Sequence, residues 1–83
     1  MEIKDLRNKI DEIDDQLIKL LENRFLVISE IKDFKKIQGL STYDIKRELE
    51  ILEKVKTSDG SFDDYLKSIF KEILKQSKEF QNE

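Results

Sequence analysis

The segment IKDLRNKIDEIDDQLIKLLENRFLVISEIKDFKKI, residues 3–37, decides the fold of this chain. Apolar side chains recur in it with the spacing of a heptad, which is typical of a long helix with one apolar stripe. Every position of the stripe is apolar except Arg24. We call the apolar members the seam: Ile3, Leu6, Ile10, Ile13, Leu17, Leu20, Val27, Ile31 and Phe34. The spacing predicts one helix over 3–37, ended by Gly39.

This predicted helix is too long for a compact monomer. About 35 residues span roughly 50 Å as a helix, whereas a compact globule of this chain length has a radius of gyration of about 12 Å. Much of the seam would then lie in water, and a chain of 83 residues buries little surface on its own. The sequence therefore predicts an intertwined helical homodimer in which two long helices pack against each other.

Two shorter helices are predicted to follow. Gly39 and Gly60 divide the chain into three helical segments, and both residues favour turns. The second helix is expected to begin within residues 41–44 and to end within 56–58, and the third begins soon after Gly60. No stretch alternates between apolar and polar residues with a period of two. The predicted fold class is therefore all-α, with one long helix and two shorter ones.

The second helix carries charged residues where its apolar face is expected. Asp44 and Glu48 project into this face, and Arg47 lies at its edge. Asp44 has a structural explanation, because Ser41 lies three residues before it and the two residues match a capping box. Ser61 and Asp64 have the same spacing at the start of the third helix. Glu48 has no such explanation, since burying an ion pair brings little net stability.

Polar residues also interrupt the apolar faces of the other two helices. Arg24 occupies a seam position, which is also explained by a role in fixing the register of two helices or by a side chain that reaches water. Arg7 and Lys35 flank the seam, where single charges are usually solvated. Ser77 and Gln81 fall on the apolar face of the third helix, where fraying of the last turns is the structural alternative.

Together these residues predict a polar pocket inside a helical bundle, a known location for ligand sites. The cations favour an anionic ligand with more than one carboxylate, because guanidinium groups match carboxylates well. Asp44 and Glu48 would accept hydrogen bonds from a hydroxyl group, and Ser77 and Gln81 would add neutral donors.

The distance between two of the arginines favours a site shared by two chains. Arg7 and Arg24 lie about 25 Å apart along one straight helix, so they cannot hold the same small molecule from one chain. If both serve one site, Arg7 comes from the partner subunit. An antiparallel pair of long helices would then form two equivalent sites.

Composition removes several other functions. The chain has no Cys and no His, which excludes disulfides, thiolate metal sites and the commonest general base. A net charge of −3 argues against nucleic acid as the main partner. No apolar run reaches the roughly 20 residues of a membrane span and no signal peptide is visible, so we expect a cytoplasmic protein without a membrane partner.

Four segments resemble the all-helical (AroQ-type) chorismate mutases, and the likeness covers essentially the whole chain. They are LRNKIDEIDDQLIKLLENR (6–24), IKDFK (31–35), DIKRELEIL (44–52) and IFKEILKQSKEFQ (69–81). The resemblance implies a single chorismate mutase type II domain over residues 1–83. It implies an isomerase of phenylalanine and tyrosine biosynthesis that converts chorismate to prephenate without a metal or a cofactor.

The resemblance also implies how the substrate carboxylates would be held. Arg7 would reach into the partner subunit's site and bind one carboxylate, and Arg24 would bind a carboxylate in its own site. Arg47 would support the carboxylate-binding side, and Ser77 would contact a carboxylate.

The remaining implied roles concern the reacting bond and the ring. Lys35 would contact a carboxylate and the ether oxygen of the breaking bond, and Gln81 would donate to the same oxygen. Asp44 and Glu48 would hold the ring hydroxyl. The resemblance thus makes Lys35, Gln81, Arg24 and Glu48 the expected catalytic residues.

Two alternatives remain open on the sequence. An isochorismate-pyruvate lyase on the same scaffold would also bind a dicarboxylate enolpyruvyl ether, although Glu48 with Asp44 and Arg47 favours the mutase. A non-catalytic helical dimerisation module would explain the heptads. It would not explain so many polar residues converging on one apolar interior.

Overall fold

Three α-helices make up the computed structural model, which describes residues 2–39 and 44–83. Helix α1 spans Ile3–Gln38, α2 spans Ile45–Glu53 and α3 spans Asp63–Gln81. The described residues contain no strand, so the predicted all-α class is confirmed. No helix in this part of the chain is long and apolar enough to cross a membrane.

Both ends of α1 are capped. Gly39 takes the left-handed conformation at φ 71°, and its N–H donates to the carbonyls of Lys35 and Lys36. The predicted stop at Gly39 is therefore confirmed. At the other end, Glu2 and Asp5 form a reciprocal capping box, which satisfies N–H groups that lack a partner within the helix.

Helix α2 is shorter than the sequence suggests. Asp44 is its N-cap, with a side chain that accepts a hydrogen bond from the N–H of Arg47 at 3.1 Å. Asp44 is therefore not the third residue of a capping box that begins at Ser41. The predicted capping residues Ser41 and Thr42 lie outside the described residues. The helix ends at Glu53 rather than within residues 56–58.

The predicted capping box of Ser61 and Asp64 at the start of α3 is wrong. The N-cap of α3 is Phe62, and no side chain caps this end. The Ser61 hydroxyl instead donates to Asp59 at 2.7 Å, and the Thr57 hydroxyl donates to Asp63 at 2.8 Å. Such local bonds between side chains and turns compete with capping. They fix the turn between α2 and α3.

The chain is elongated, with extents of 55 × 24 × 17 Å and a radius of gyration of 16.0 Å. The C-terminal half of α1 packs against α3, and α2 packs against α3, whereas every residue from 3 to 20 is exposed. The small apolar core consists of Ile28, Ile51, Val55 and Leu74. The length of α1 thus keeps the chain far from the compact radius of about 12 Å for its size.

The seam of α1 lies uncovered along its entire length. Each of its apolar side chains is between 42% exposed, at Ile31, and 62% exposed, at Ile3 and Leu20. A continuous apolar surface of this length marks an interaction site rather than scattered surface residues.

The turn before α3 should make stability depend on pH. Hydrogen bonds from the N–H and the hydroxyl of Thr57 lower the pKa of Asp63, and Lys67 and Lys56 lower it further. A carboxylate with a lowered pKa stabilises the fold above its unfolded pKa of about 3.9. This stabilisation is lost as pH falls through the folded pKa.

We therefore expect Asp63→Asn to lower the melting temperature at pH 7, and we expect its difference from wild type to shrink below about pH 4. Asp64→Asn is the matched control, because Asp64 lies in the same first turn of α3. Circular dichroism melts from pH 3 to pH 7 measure both variants. A difference for Asp63→Asn that stays constant over this range would contradict the explanation.

Candidate active site

A cavity of about 260 Å³ lies between the C-terminal half of α1, helix α2 and the last two turns of α3. This volume is near the lower end for small-molecule sites. Seven of the eight predicted site residues line it: Arg24, Lys35, Asp44, Arg47, Glu48, Ser77 and Gln81. Its apolar walls are formed by Val27, Ile28, Ile31, Ile51 and Leu74.

The helical period explains why these polar and apolar residues share one cavity. On α1, Arg24, Ile28 and Lys35 are separated by four and seven residues, so they lie on one face. On α3, Ser77 and Gln81 are separated by four residues and share the face of buried Leu74. Polar side chains thus replace apolar ones where the three helices meet.

Arg24 and Ser77 join α1 to α3. The guanidinium Nη1 of Arg24 donates a short hydrogen bond to the Ser77 hydroxyl oxygen. That hydroxyl donates in turn to the carbonyl of Ile73 at 2.8 Å. Ser77 is only 4% exposed. It is therefore packed in the structure and does not belong to a frayed helix end. The sequence placed both residues near the site but contained no signal for this contact.

The bond to Ile73 uses the only proton of the Ser77 hydroxyl, whereas the bond from Arg24 uses an acceptor lone pair. A serine hydroxyl has one donor and two acceptor lone pairs, and the donor is directed to the carbonyl of Ile73. In this arrangement Ser77 orients Arg24. The direct contact of Ser77 with a substrate carboxylate stays a prediction.

The cavity has an excess of positive charge. Its ionisable lining consists of four cations and two carboxylates: Arg24, Lys35, Arg47, Lys78, Asp44 and Glu48. Burial lowers the pKa of Arg24, and the positive charge of Arg47 lowers it further. Arg24 still remains charged at neutral pH, because a guanidinium group is not deprotonated in proteins. Among the lining residues the cations outnumber the carboxylates by two, which favours an anionic ligand.

Arg47 lies at the rim of the cavity. Its Nη1 pairs with Glu50 Oε2 at 3.4 Å in an exposed ion pair. Such pairs contribute little stability, so this pairing leaves the guanidinium able to turn toward a ligand. The half-buried Glu48, one residue further along α2, is the deeper of the two.

Lys78 is a lining residue that the sequence analysis missed. It follows Ser77 directly and precedes Gln81 by three residues, so it borders the same face of α3. Its spacing from Gln81 was the available signal. Because the chain contains many lysines, this spacing did not distinguish Lys78 from the others.

Arg7 does not line the cavity within this chain. It lies in the exposed N-terminal half of α1, about 25 Å from Arg24 along the helix axis. The single chain therefore does not bring these two arginines together.

In the parts of the chain that the structure describes, no group of three His, Cys, Asp or Glu side chains is placed to hold a metal ion.

Comparisons with known proteins show which family this chain resembles. The family described as chorismate mutase type II matches residues 6–82. The chain is 31% identical to the T-protein of Haemophilus influenzae over 85 residues, which cover 94% of this chain and 22% of that protein. It is 37% identical over 54 residues to the bifunctional chorismate mutase/prephenate dehydratase of Aquifex aeolicus, covering 65% of this chain and 15% of that protein. The chain spans less than a quarter of the length of either relative.

The hydrogen bonds of Ser77 predict a loss of stability in Ser77→Ala. Removing the hydroxyl leaves the partly buried Arg24 without this partner, and we expect the free energy of unfolding to fall by about 1–3 kcal/mol. Ser68→Ala is the matched control, because Ser68 is exposed on the same helix. Urea unfolding measures both variants. Equal stability of the two would show that the Arg24 contact contributes nothing.

Proposed function

We propose that this chain, which belongs to the chorismate mutase type II family, converts chorismate to prephenate in phenylalanine and tyrosine biosynthesis. The observation that carries the proposal is the convergence of Arg24, Lys35, Glu48 and Gln81 on one positively charged cavity. The reaction breaks a C–O bond while a C–C bond forms within one molecule. It requires no nucleophile, no proton transfer and no metal or other cofactor from the protein.

The first contribution of the protein is to hold a reactive conformation. Chorismate has two carboxylates, and fixing both would keep its enolpyruvyl side chain over the ring. Arg24 is already oriented for this role by Ser77, so little side-chain freedom is lost on binding. Arg47 would complete the carboxylate-binding side from the rim.

The second contribution is electrostatic. The ether oxygen gains negative charge in the transition state, and donors placed beforehand at this oxygen lower the barrier. Lys35 on α1 and Gln81 on α3 line the same cavity from opposite helices. We assign the stabilisation of the ether oxygen to these two residues.

The acidic residues of the cavity suit the ring hydroxyl. Asp44 accepts from the N–H of Arg47 with one carboxylate oxygen, and its second oxygen is available as an acceptor. Glu48 lies one turn along the same helix in a half-buried position. Two acceptors beside a hydroxyl favour the mutase over the isochorismate-pyruvate lyase.

We further propose that the active form is an antiparallel homodimer. The exposed seam supports this, because an antiparallel register centred between Leu17 and Leu20 pairs every position of the stripe, including Arg24, with another position of the stripe. The resulting pairs are Ile3 with Phe34, Leu6 with Ile31, Ile10 with Val27, Ile13 with Arg24, and Leu17 with Leu20. Shifting the register by one heptad in either direction leaves seam residues unpaired.

The same register brings Arg7 to the partner's cavity. It places Arg7 opposite residue 30 of the partner subunit, midway along the part of α1 that contributes Arg24 and Lys35. Arg7 would then bind a carboxylate of the substrate held by the other chain.

The mixed charges on the exposed helix faces suit an aqueous compartment, and a cytoplasmic location stays a prediction.

A chorismate-disappearance assay with product identification tests the function. We expect prephenate as product, and we expect Lys35→Ala to lower kcat/KM about a hundredfold or more through loss of the ether-oxygen donor. Lys36→Ala is the matched control, since Lys36 is exposed on the same turn and does not line the cavity. Salicylate and pyruvate formed from isochorismate, with no prephenate formed from chorismate, would support the lyase instead. No turnover of chorismate would contradict the proposal.

Subunit complementation tests the shared site. Arg7→Ala and Arg24→Ala homodimers should each be nearly inactive. Refolded together, they should regain about a quarter of wild-type activity, because random mixing gives half heterodimers with one intact site each.

The control mixture combines Arg24→Ala with Lys35→Ala. Both changes fall in the cavity of the chain that carries them, so no heterodimer site is intact and no activity should return. Confirmed Arg7→Ala/Arg24→Ala heterodimers without activity would refute the proposed role of Arg7 across subunits.

A further inference from the structure

The C-terminal turn of α3 is tied to α1 through Phe80. The ammonium Nζ of Lys32 donates to the carbonyl oxygen of Phe80 at 3.2 Å and lies 5.3 Å from the centroid of its ring. The Phe25 ring meets the Phe80 ring edge to face, with centroids 5.5 Å apart. We call Phe25, Lys32 and Phe80 the Phe80 clamp.

The clamp acts directly on the backbone that carries Gln81. The carbonyl of Phe80 and the N–H of Gln81 belong to one planar peptide unit. A donor that fixes this carbonyl therefore fixes the plane from which the Gln81 side chain departs. Gln81 is the last residue of α3, and helix ends fray. The Phe80 carbonyl accepts one backbone bond there, from the N–H of Glu83 at 3.4 Å, and Lys32 adds a second donor.

Lys32 is well suited to this position. A cation beside the C-terminal carbonyls of a helix interacts favourably with the helix dipole, and a cation over an aromatic face is attracted to it. One ammonium group makes both contacts with Phe80. Lys32 is half-buried and does not line the cavity, so it is placed to act through Phe80 rather than on a ligand.

The two side chains at the end of α3 point in different directions. Successive residues of a helix differ by about 100°, and the Phe80 ring lies against Phe25 of α1 while Gln81 lines the cavity. The clamp thus holds the outer side of the turn and leaves Gln81 turned toward the site.

We propose that Lys32 is a positioning residue for Gln81 and that it holds the Gln81 amide where the ether oxygen of the substrate reacts. The inference rests on the proposed function, because it gives Gln81 the role of donor to that oxygen. Misplacing a catalytic group by about 1 Å can reduce the rate about a hundredfold. Loosening the last turn should have a smaller effect, because the amide still visits the correct position.

The first test is steady-state kinetics on Lys32→Met, which removes the ammonium group and keeps a long apolar side chain. We expect kcat to fall about tenfold with KM within about twofold of wild type, because only a transition-state interaction is weakened. Lys32→Arg should recover most of the activity, since a guanidinium can make both contacts. Lys19→Met is the charge-matched control on an exposed position of α1. Equal kcat values for Lys32→Met and Lys19→Met would overturn the proposal.

The second test is a double-mutant cycle with Gln81→Ala. If Lys32 acts through Gln81, Lys32→Met should lower kcat less than twofold in the Gln81→Ala background. Losses that multiply would show that Lys32 affects the reaction by another route and would overturn the proposal. Lys32→Gln is the second variant if Lys32→Met folds poorly by circular dichroism, with the same expectation.

The third test is independent of any activity. Backbone ¹⁵N relaxation should show order parameters for residues 80–82 that fall from about 0.85 in wild type to below about 0.6 in Lys32→Met. Unchanged values would refute the clamp itself. A lowered order parameter in a protein that does not turn over chorismate would refute the proposed function and leave the clamp standing.

Discussion

The apolar seam of α1 is the constraint on which the rest of the structure depends. The chain places nine apolar residues along a helix of 36 residues, and its two other helices are too short to cover them. Helices α2 and α3 contain 9 and 19 residues; α3 packs beside the C-terminal half of α1, and α2 packs against α3. Nothing in the part of the chain that the structure describes covers the seam, and its symmetric spacing suits a second copy of itself. The apolar surface that the fold leaves exposed is therefore the same surface that the proposed dimer would bury.

The cavity lies where the three helices meet, so it is built from positions that would otherwise form the core. This replacement weakens the fold locally. Arg24 is desolvated, which lowers its pKa, and Ser77 is buried with its hydroxyl bonded to Arg24 and to the backbone. Buried polar groups that are fully bonded are rigid. The chain thus exchanges apolar packing for side chains whose positions are set before a ligand arrives, and the turn that carries Gln81 is held in the same way from the outside by Lys32.

Sequence periodicity predicted the parts of the structure that follow from one helix alone. The bounds of α1 and its stop at Gly39 come from heptad spacing and glycine conformation, and the same period indicated which polar residues share a face. The period did not predict which local partner a capping side chain bonds. Asp44, for example, is itself the N-cap of α2. The period also gave no signal for contacts between helices, such as the bond from Arg24 to Ser77 and the bond from Lys32 to Phe80, because these depend on how the helices pack.

The most direct test of the account is a crystal structure of the protein with a stable dicarboxylate mimic of the transition state. We expect an antiparallel dimer with a two-fold axis between Leu17 and Leu20. The mimic should lie in the cavity between Lys35 and Gln81, with the partner subunit's Arg7 on one carboxylate. A mimic bound elsewhere, or a dimer in which both Arg7 side chains are remote from both cavities, would contradict it.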